Sequence, residues 1–120
     1  MSLSTKILMT FFKVKIVSSI KGRIRINIPN LRLYLNKANL KKSDMERLLK
    51  LVRGINSVEI NLYTGSVLIL YDPYVLNEKK IMNIVDHVVS SVASNMDKLQ
   101  DSKISIEQLI KENVQFLDSE

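Results

Sequence analysis

Apolar and polar residues alternate along residues 14–20 and again along residues 23–28. A period of two places successive side chains on opposite faces of a β-strand, so each stretch predicts a strand. Lys21-Gly22 between them is typical of a tight turn, and Pro29 ends the second strand because it has no N–H for a sheet ladder. The pattern therefore predicts an N-terminal β-hairpin.

An amphipathic helix is predicted after an irregular, basic segment at residues 29–42. Ser43 and Glu46 match a capping box, in which each side chain bonds the backbone N–H of the other residue. Gly54 is expected to end the helix, because glycine adopts the left-handed conformation without steric cost. The apolar stripe at helical spacing consists of Met45, Leu48, Leu49 and Val52.

A second hairpin is predicted after this helix. Residues 57–62 alternate, and Thr64-Gly65 provides the turn, with Gly65 expected at positive φ. Residues 67–71 are apolar on both faces, which is typical of a strand covered on both sides. The second strand of this hairpin is therefore expected in the middle of the sheet.

The C-terminal part of the chain is predicted to be helical. Asn77 is the expected N-cap of a helix that continues to about Leu99. A second capping-box pattern at residues 105–108 predicts the start of a last helix. We divide the chain into an N-terminal extension (1–12), one domain (13–99) and a C-terminal helical extension (100–120).

Composition restricts the chemistry of this domain. The 120 residues include no cysteine, which excludes disulfides and thiolate chemistry and makes a cytoplasmic location the expectation. Residues 1–53 hold 13 Lys/Arg and 2 Asp/Glu, a net charge of +11, whereas residues 54–120 hold 5 and 10, a net charge of −5. This asymmetry of charge is typical of a protein that binds an anionic partner or of one whose opposite ends associate between two chains. It is equally typical of a basic face that keeps a small protein soluble.

Neither a membrane span nor a secretory signal is expected. The longest apolar stretch near the start, residues 7–12, is far shorter than the roughly 20 residues of a transmembrane helix. Lys13 and Lys15 follow it where a signal peptide would need small residues for cleavage.

Residues 54–73, GINSVEINLYTGSVLILYDP, resemble the pattern GV-x-SV-x-VN-x-x-TG-x-x-x-V-x-YDP of heavy-metal-associated domains. Those domains occur in soluble copper chaperones and at the cytoplasmic N-termini of metal-transporting P-type ATPases. Residues 22–29, GRIRINIP, are similar to the opening of a cysteine-poor branch of the same family. The resemblance covers about residues 14–92.

The resemblance implies an α+β fold with a ferredoxin-like antiparallel sheet and two helices on one face. The usual strand after the second helix has no counterpart here, so strand 14–20 is expected to replace it beside strand 23–28. The last helix would be an addition to the fold. The family's metal ligands are a CxxC pair in the loop after its first strand, and the corresponding loop, which begins at Pro29, has no cysteine.

No cofactor, metal ligand or enzymatic activity is expected. His87 is the only histidine, and we expect it on the exposed side of its helix. The three glycines are isolated and form no phosphate-binding loop. Two carboxylates one turn apart, Asp97 and Asp101, do not make a selective metal site.

Two regions are the predicted contact surfaces. The sheet face away from the helices is expected to carry Lys13, Lys15, Arg23 and Arg25 beside Val17, Val67, Ile69 and Tyr71. The apolar residues of segment 29–42 either pack into the edge of the core or form a contact patch. The expected contact residues are Lys13, Lys15, Arg23, Arg25, Leu31, Leu33, Tyr34 and Tyr71.

The predicted function is a non-catalytic protein-interaction or adaptor module, a companion in metal handling without a CxxC site of its own. Its expected partner is a protein, such as a metal-transport or storage component. One alternative is a basic nucleic-acid-binding module that uses the open sheet face. A second is a metal carrier with unusual ligands. Self-association through the sheet face or the last helix is also left open.

Overall fold

A computed structural model describes residues 14–95, together with Gln108 and Lys111, which are helical and exposed. The elements are β1 (Lys15–Ile20), β2 (Arg23–Asn27), α1 (Leu31–Lys37), α2 (Lys42–Lys50), β3 (Ile55–Asn61), β4 (Ser66–Tyr71) and α3 (Glu78–Ser94). The predicted extension 1–12, the expected helix end near Leu99 and the rest of the last helix lie outside the described residues. The predicted division into domains therefore stays a prediction.

The four strands form one antiparallel sheet in the order β1-β2-β4-β3. Both predicted hairpins are present, and β4 lies inside the sheet, as its apolar sequence indicates. β1 pairs with β2, so the N-terminal strand takes the place that the family's last strand would occupy. The α+β fold with an antiparallel sheet is confirmed.

The hydrophobic core lies between one face of the sheet and the helices. Ile24 pairs with Ile69 and Ile26 with Val67 across β2 and β4, and all four side chains are fully buried. Burying one large aliphatic side chain stabilises a fold by about 1.5–3 kcal/mol. The helices therefore cover this face of the sheet. The apolar side of α3 consists of Ile81, Ile84, Val85, Val88, Val89 and Val92.

The segment 29–42, predicted to be irregular, contains helix α1, so that prediction was wrong. Leu31, Tyr34 and Leu35 are buried on one side of α1, at the i, i+3, i+4 spacing of a helix. Their burial stabilises a helix that is only seven residues long. The apolar spacing was visible in the sequence, but the many basic residues around it favoured a loop.

Helix α2 begins earlier than the predicted capping box. Its first residue is Lys42, and the N–H of Lys41 donates to the carboxylate of Asp44 at 2.9 Å. Asp44 thus performs the function that we assigned to Glu46, and Ser43 lies inside the helix. The prediction was wrong because two acidic side chains compete in this stretch, and the one nearer the N-terminus forms the cap.

The start of α3 agrees with the sequence. The side-chain oxygen of Asn77 accepts a hydrogen bond from the N–H of Lys80 at 2.8 Å, which confirms Asn77 as the N-cap. Gly54 has a φ of 101°, but α2 already ends at Lys50, so Gly54 is not the residue directly after the helix.

Candidate interaction surfaces

The sheet face turned away from the helices, called the open face below, brings cations and aliphatic side chains together. Arg23 pairs with Leu70 and Arg25 with Leu68 across β2 and β4. Directly paired side chains on one face of a sheet are in contact range. Leu70 is 38% exposed. Ile20, which pairs with Arg23 across β1 and β2, is 63% exposed. The open face is therefore both basic and apolar around β2.

The charge of the open face changes across the sheet. Lys15, Arg23 and Arg25 are exposed on β1 and β2, whereas Glu59 is exposed on β3, two strands away from Arg25. Within the described part of the chain, neither Arg23 nor Arg25 has an ion-pair partner. No acidic side chain among these described residues therefore neutralises their positive charges.

Three of the residues expected on the open face lie on its opposite side. Val67 and Ile69 are fully buried in the core, and Tyr71 is 6% exposed on the same side of β4. The expectation was wrong because residues 67–71 are apolar on both faces of β4, so the sequence alone gives no preferred face. Pairing with β2 fixes the face and places Leu68 and Leu70 outward instead. Lys13 lies outside the described residues.

A groove at one end of the sheet is the second candidate surface, called the edge groove below. It has a volume of about 450 Å³ and lies between the start of α1 and the turn from β3 to β4. The guanidinium of Arg32 lies 5.8 Å from the ring centroid of Tyr63, which is 90% exposed. The amide of Asn27 donates to the carbonyl of Thr64 at 2.7 Å and holds the turn against β2. The groove is lined by Asn30, Leu31, Arg32, Leu33, Asn36, Leu62, Tyr63, Thr64 and Gly65.

The expected contact residues of segment 29–42 separate into two groups. Leu31 and Tyr34 are buried in the core, so they are not accessible to a partner, whereas Leu33 is 47% exposed beside the edge groove. The Tyr34 hydroxyl donates to the carbonyl of Val89 and so joins α1 to α3. Arg32 and Tyr63 were not among the expected contacts, and only the turn connecting β3 to β4 brings them together.

Replacing Tyr34 with phenylalanine should change how stability depends on pH. Burial raises the pKa of the Tyr34 phenol above its ordinary value of 10.0, and a hydrogen bond with the backbone of Ala93 lowers it in part. Below pH 10 both folded and unfolded chains keep this proton, but above pH 10 the unfolded chain releases it first. The wild-type free energy of unfolding should then fall by about 1.4 kcal/mol per pH unit through this group.

Urea unfolding of the wild-type and Tyr34→Phe chains between about pH 8 and about pH 11 measures this effect. The advantage of the wild type should be constant below pH 10 and shrink above it, because the variant has no phenol at this position. Parallel pH curves for the two chains would contradict the buried, protonated state of Tyr34.

Metal-ligating side chains are not clustered in the part of the chain that the structure describes. No group of three or more His, Cys, Asp or Glu residues could hold a metal ion there. His87 is half-buried on α3 and not fully exposed as expected. The loop in which the resembled family keeps its CxxC pair begins at Pro29 in this chain, and its next residue, Asn30, lines the edge groove. Of the described helices, none combines the length and the apolarity that crossing a membrane requires.

Comparison with known proteins adds a family to this description. No curated protein and no solved structure matches the chain. The family model for heavy metal associated domain 2 matches residues 6–118, nearly the whole chain, and extends beyond the predicted domain 13–99 on both sides. The match agrees with the antiparallel sheet and with the resemblance at residues 54–73. The chain therefore belongs to the family of heavy-metal-associated domains, in a form that contains no cysteine.

Proposed function

We propose that this protein is a non-catalytic interaction module that binds an acidic protein partner through its open face and acts as an adaptor in metal handling. Membership of the family supports a role in metal handling or in protein interaction. The observation that carries the proposal is the pairing of Arg23 with Leu70 and of Arg25 with Leu68. Arginine is enriched at protein interfaces, whose buried centre is more apolar than the rest of the surface. We propose a cytoplasmic location, with which a chain that contains no cysteine is compatible.

The open face favours a protein over a nucleic acid. Modules that bind single-stranded RNA stack bases on aromatic side chains. Tyr71, the aromatic residue expected at this place, is in the core, and the described open face carries aliphatic residues such as Ile20 and Leu70 instead. A metal-carrier function finds no supporting set of ligands among the described residues.

Reversing the two arginine charges should release the partner. The full-length chain carrying Arg23→Glu and Arg25→Glu would replace the wild type as bait, and the captured proteins would be quantified by mass spectrometry. Recovery of the partner should fall by about tenfold or more, because like charges at an interface oppose association. The control is Lys79→Glu with Lys80→Glu, which makes the same change in net charge at exposed positions in the first turn of α3.

Three results would contradict this proposal. The first is that the double arginine variant retains the partner, and the second is that the lysine control loses it equally. The third is that the wild type captures no partner. If the wild type instead shifted single-stranded RNA at low salt and the arginine variant did not, the nucleic-acid alternative would replace the proposal.

A further inference from the structure

β1 is an edge strand that is exposed along its whole length. All six residues are exposed, and the aliphatic Ile16, Val17 and Ile20 are exposed by 43%, 60% and 63%. Among the described residues, β1 pairs only with β2, which leaves its outer backbone edge without a strand partner. The unpaired N–H and C=O groups of such an edge can accept a further strand.

The direction of the backbone groups in β1 follows from the turn that joins it to β2. Ile20 pairs with Arg23 across the two-residue turn, and the pair that closes such a turn exchanges its backbone hydrogen bonds. Hydrogen-bonded and non-hydrogen-bonded pairs alternate in an antiparallel ladder. The next residue, Ser19, is opposite Ile24, so its N–H and C=O point away from β2. Ser19 is therefore the main-chain donor and acceptor that an added strand would meet.

The charge around this edge indicates an acidic occupant. Four cations, Lys15, Lys21, Arg23 and Arg25, lie in residues 14–29, and this stretch contains no acidic residue. All four are exposed. An extended peptide with acidic residues on the side of the open face would lie beside these cations and beside Ile20, and its side chains on the other side would cover Ile16, which is opposite Ile26.

The same features argue against a second copy of this chain on β1. A symmetric contact between two β1 strands would bring two sets of four cations together. The register shift between Ile16 and Ser18 also shortens the regular part of the strand on which two copies would pair. A short peptide needs only the regular part of the strand, which includes Ser19. The opposite edge strand, β3, contains the acidic Glu59 and no lysine or arginine.

We propose that β1 accepts an extended acidic segment of a partner protein as a fifth strand of the sheet. The inference rests on the proposed function and deepens it, because it states how the partner binds. Main-chain bonds at Ser19 would contribute affinity, and Lys15, Arg23 and Arg25 would select acidic sequences.

A displayed library of random peptides of about ten residues, selected on the full-length chain, tests the proposal. Enriched peptides should be acidic and should alternate polar with apolar residues. Ser19→Pro removes the outward N–H without removing a bond to β2, and proline is tolerated at such positions of edge strands. The variant should bind an enriched peptide about tenfold more weakly, whereas the matched control Ser19→Ala, which keeps the N–H, should bind it like the wild type.

Hydrogen exchange at the Ser19 amide of the wild-type chain provides a second measurement that requires no variant. The amide should exchange quickly in the free chain. With the peptide bound, its exchange rate should fall to about one tenth of that value or less. Protection that requires peptide, together with weaker binding by Ser19→Pro, supports the proposal.

Other results overturn it. Protection in the free monomer would show that another segment of the chain covers β1, and a dimer that Ser19→Pro dissociates would make the second copy the occupant. Selection of non-acidic peptides, or equal binding by Ser19→Pro, would exclude strand addition by an acidic segment. If Ser19→Pro also retains the partner that Arg23→Glu/Arg25→Glu loses, the proposed function stands and only the strand addition fails.

Discussion

Replacing Tyr34 with alanine is expected to destabilise the fold by about 3–5 kcal/mol. The Tyr34 side chain is fully buried in the core, and its hydroxyl donates to the carbonyl of Val89. The substitution removes the aromatic ring and leaves a cavity between α1 and α3 that the surrounding helices fill only in part. Since a domain of this kind is stable by about 5–15 kcal/mol in total, the loss is a large fraction of that stability.

Urea unfolding followed by far-UV circular dichroism measures this loss. The control is Tyr63→Ala, because the Tyr63 side chain is 90% exposed and its removal should change stability by no more than about 0.5 kcal/mol. If Tyr34→Ala were as mild as Tyr63→Ala, Tyr34 would not be a core residue, and its role as a partner contact would return.

Tyr34 also shows what the sequence could and could not predict at the candidate site. Its position three residues after Leu31 and one before Leu35 is a helical spacing, yet the segment is short and strongly basic. Short helices depend on tertiary contacts more than on local propensity. A contact to Val89, 55 residues later, is the kind of contact that local pattern does not contain.

The hairpins and the start of α3 were predictable because their causes are local. Glycine in a hairpin turn, alternation in the flanking residues and an asparagine before the helix each act within a few positions. Asn77 and Gly65 both occupy the predicted conformations. The order of the strands followed from the family resemblance, which placed strand 14–20 beside strand 23–28, and the apolar faces of β4 agree with its position inside the sheet.

The composition of the open face was less predictable, because only one of its two central strands has an alternating sequence. In β2 the alternation of arginine and isoleucine determines which side chains face outward, so Arg23 and Arg25 were placed correctly. β4 has no such alternation, and its outward residues, Leu68 and Leu70, are defined only by pairing with β2. A shift of one residue in register exchanges the two faces of a strand.

The turn from β3 to β4 gives the second large effect, because Gly65→Ala should destabilise the fold by about 2–3 kcal/mol. Gly65 has a φ of 76°, which costs a side-chain-bearing residue about 1–2 kcal/mol. A β-carbon at this position would also clash with the backbone carbonyl of Ile28. The N–H of Ile28 donates to the carbonyl of Gly65 at 2.9 Å, so relief of the clash would strain a bond that holds the turn to the end of β2.

Gly22→Ala is the matched control for the backbone cost, because Gly22 has a φ of 86° in the other hairpin turn. Its added β-carbon would lie 3.3 Å from the carbonyl oxygen of Tyr71, a tight contact that a small shift can relieve. In urea unfolding, Gly65→Ala should therefore lose more stability than Gly22→Ala. Equal losses would mean that φ alone accounts for the effect and that Ile28 does not restrict the turn. The larger loss would show that the close packing of Gly65 on Ile28, which holds the turn beside the edge groove against the end of β2, contributes to stability.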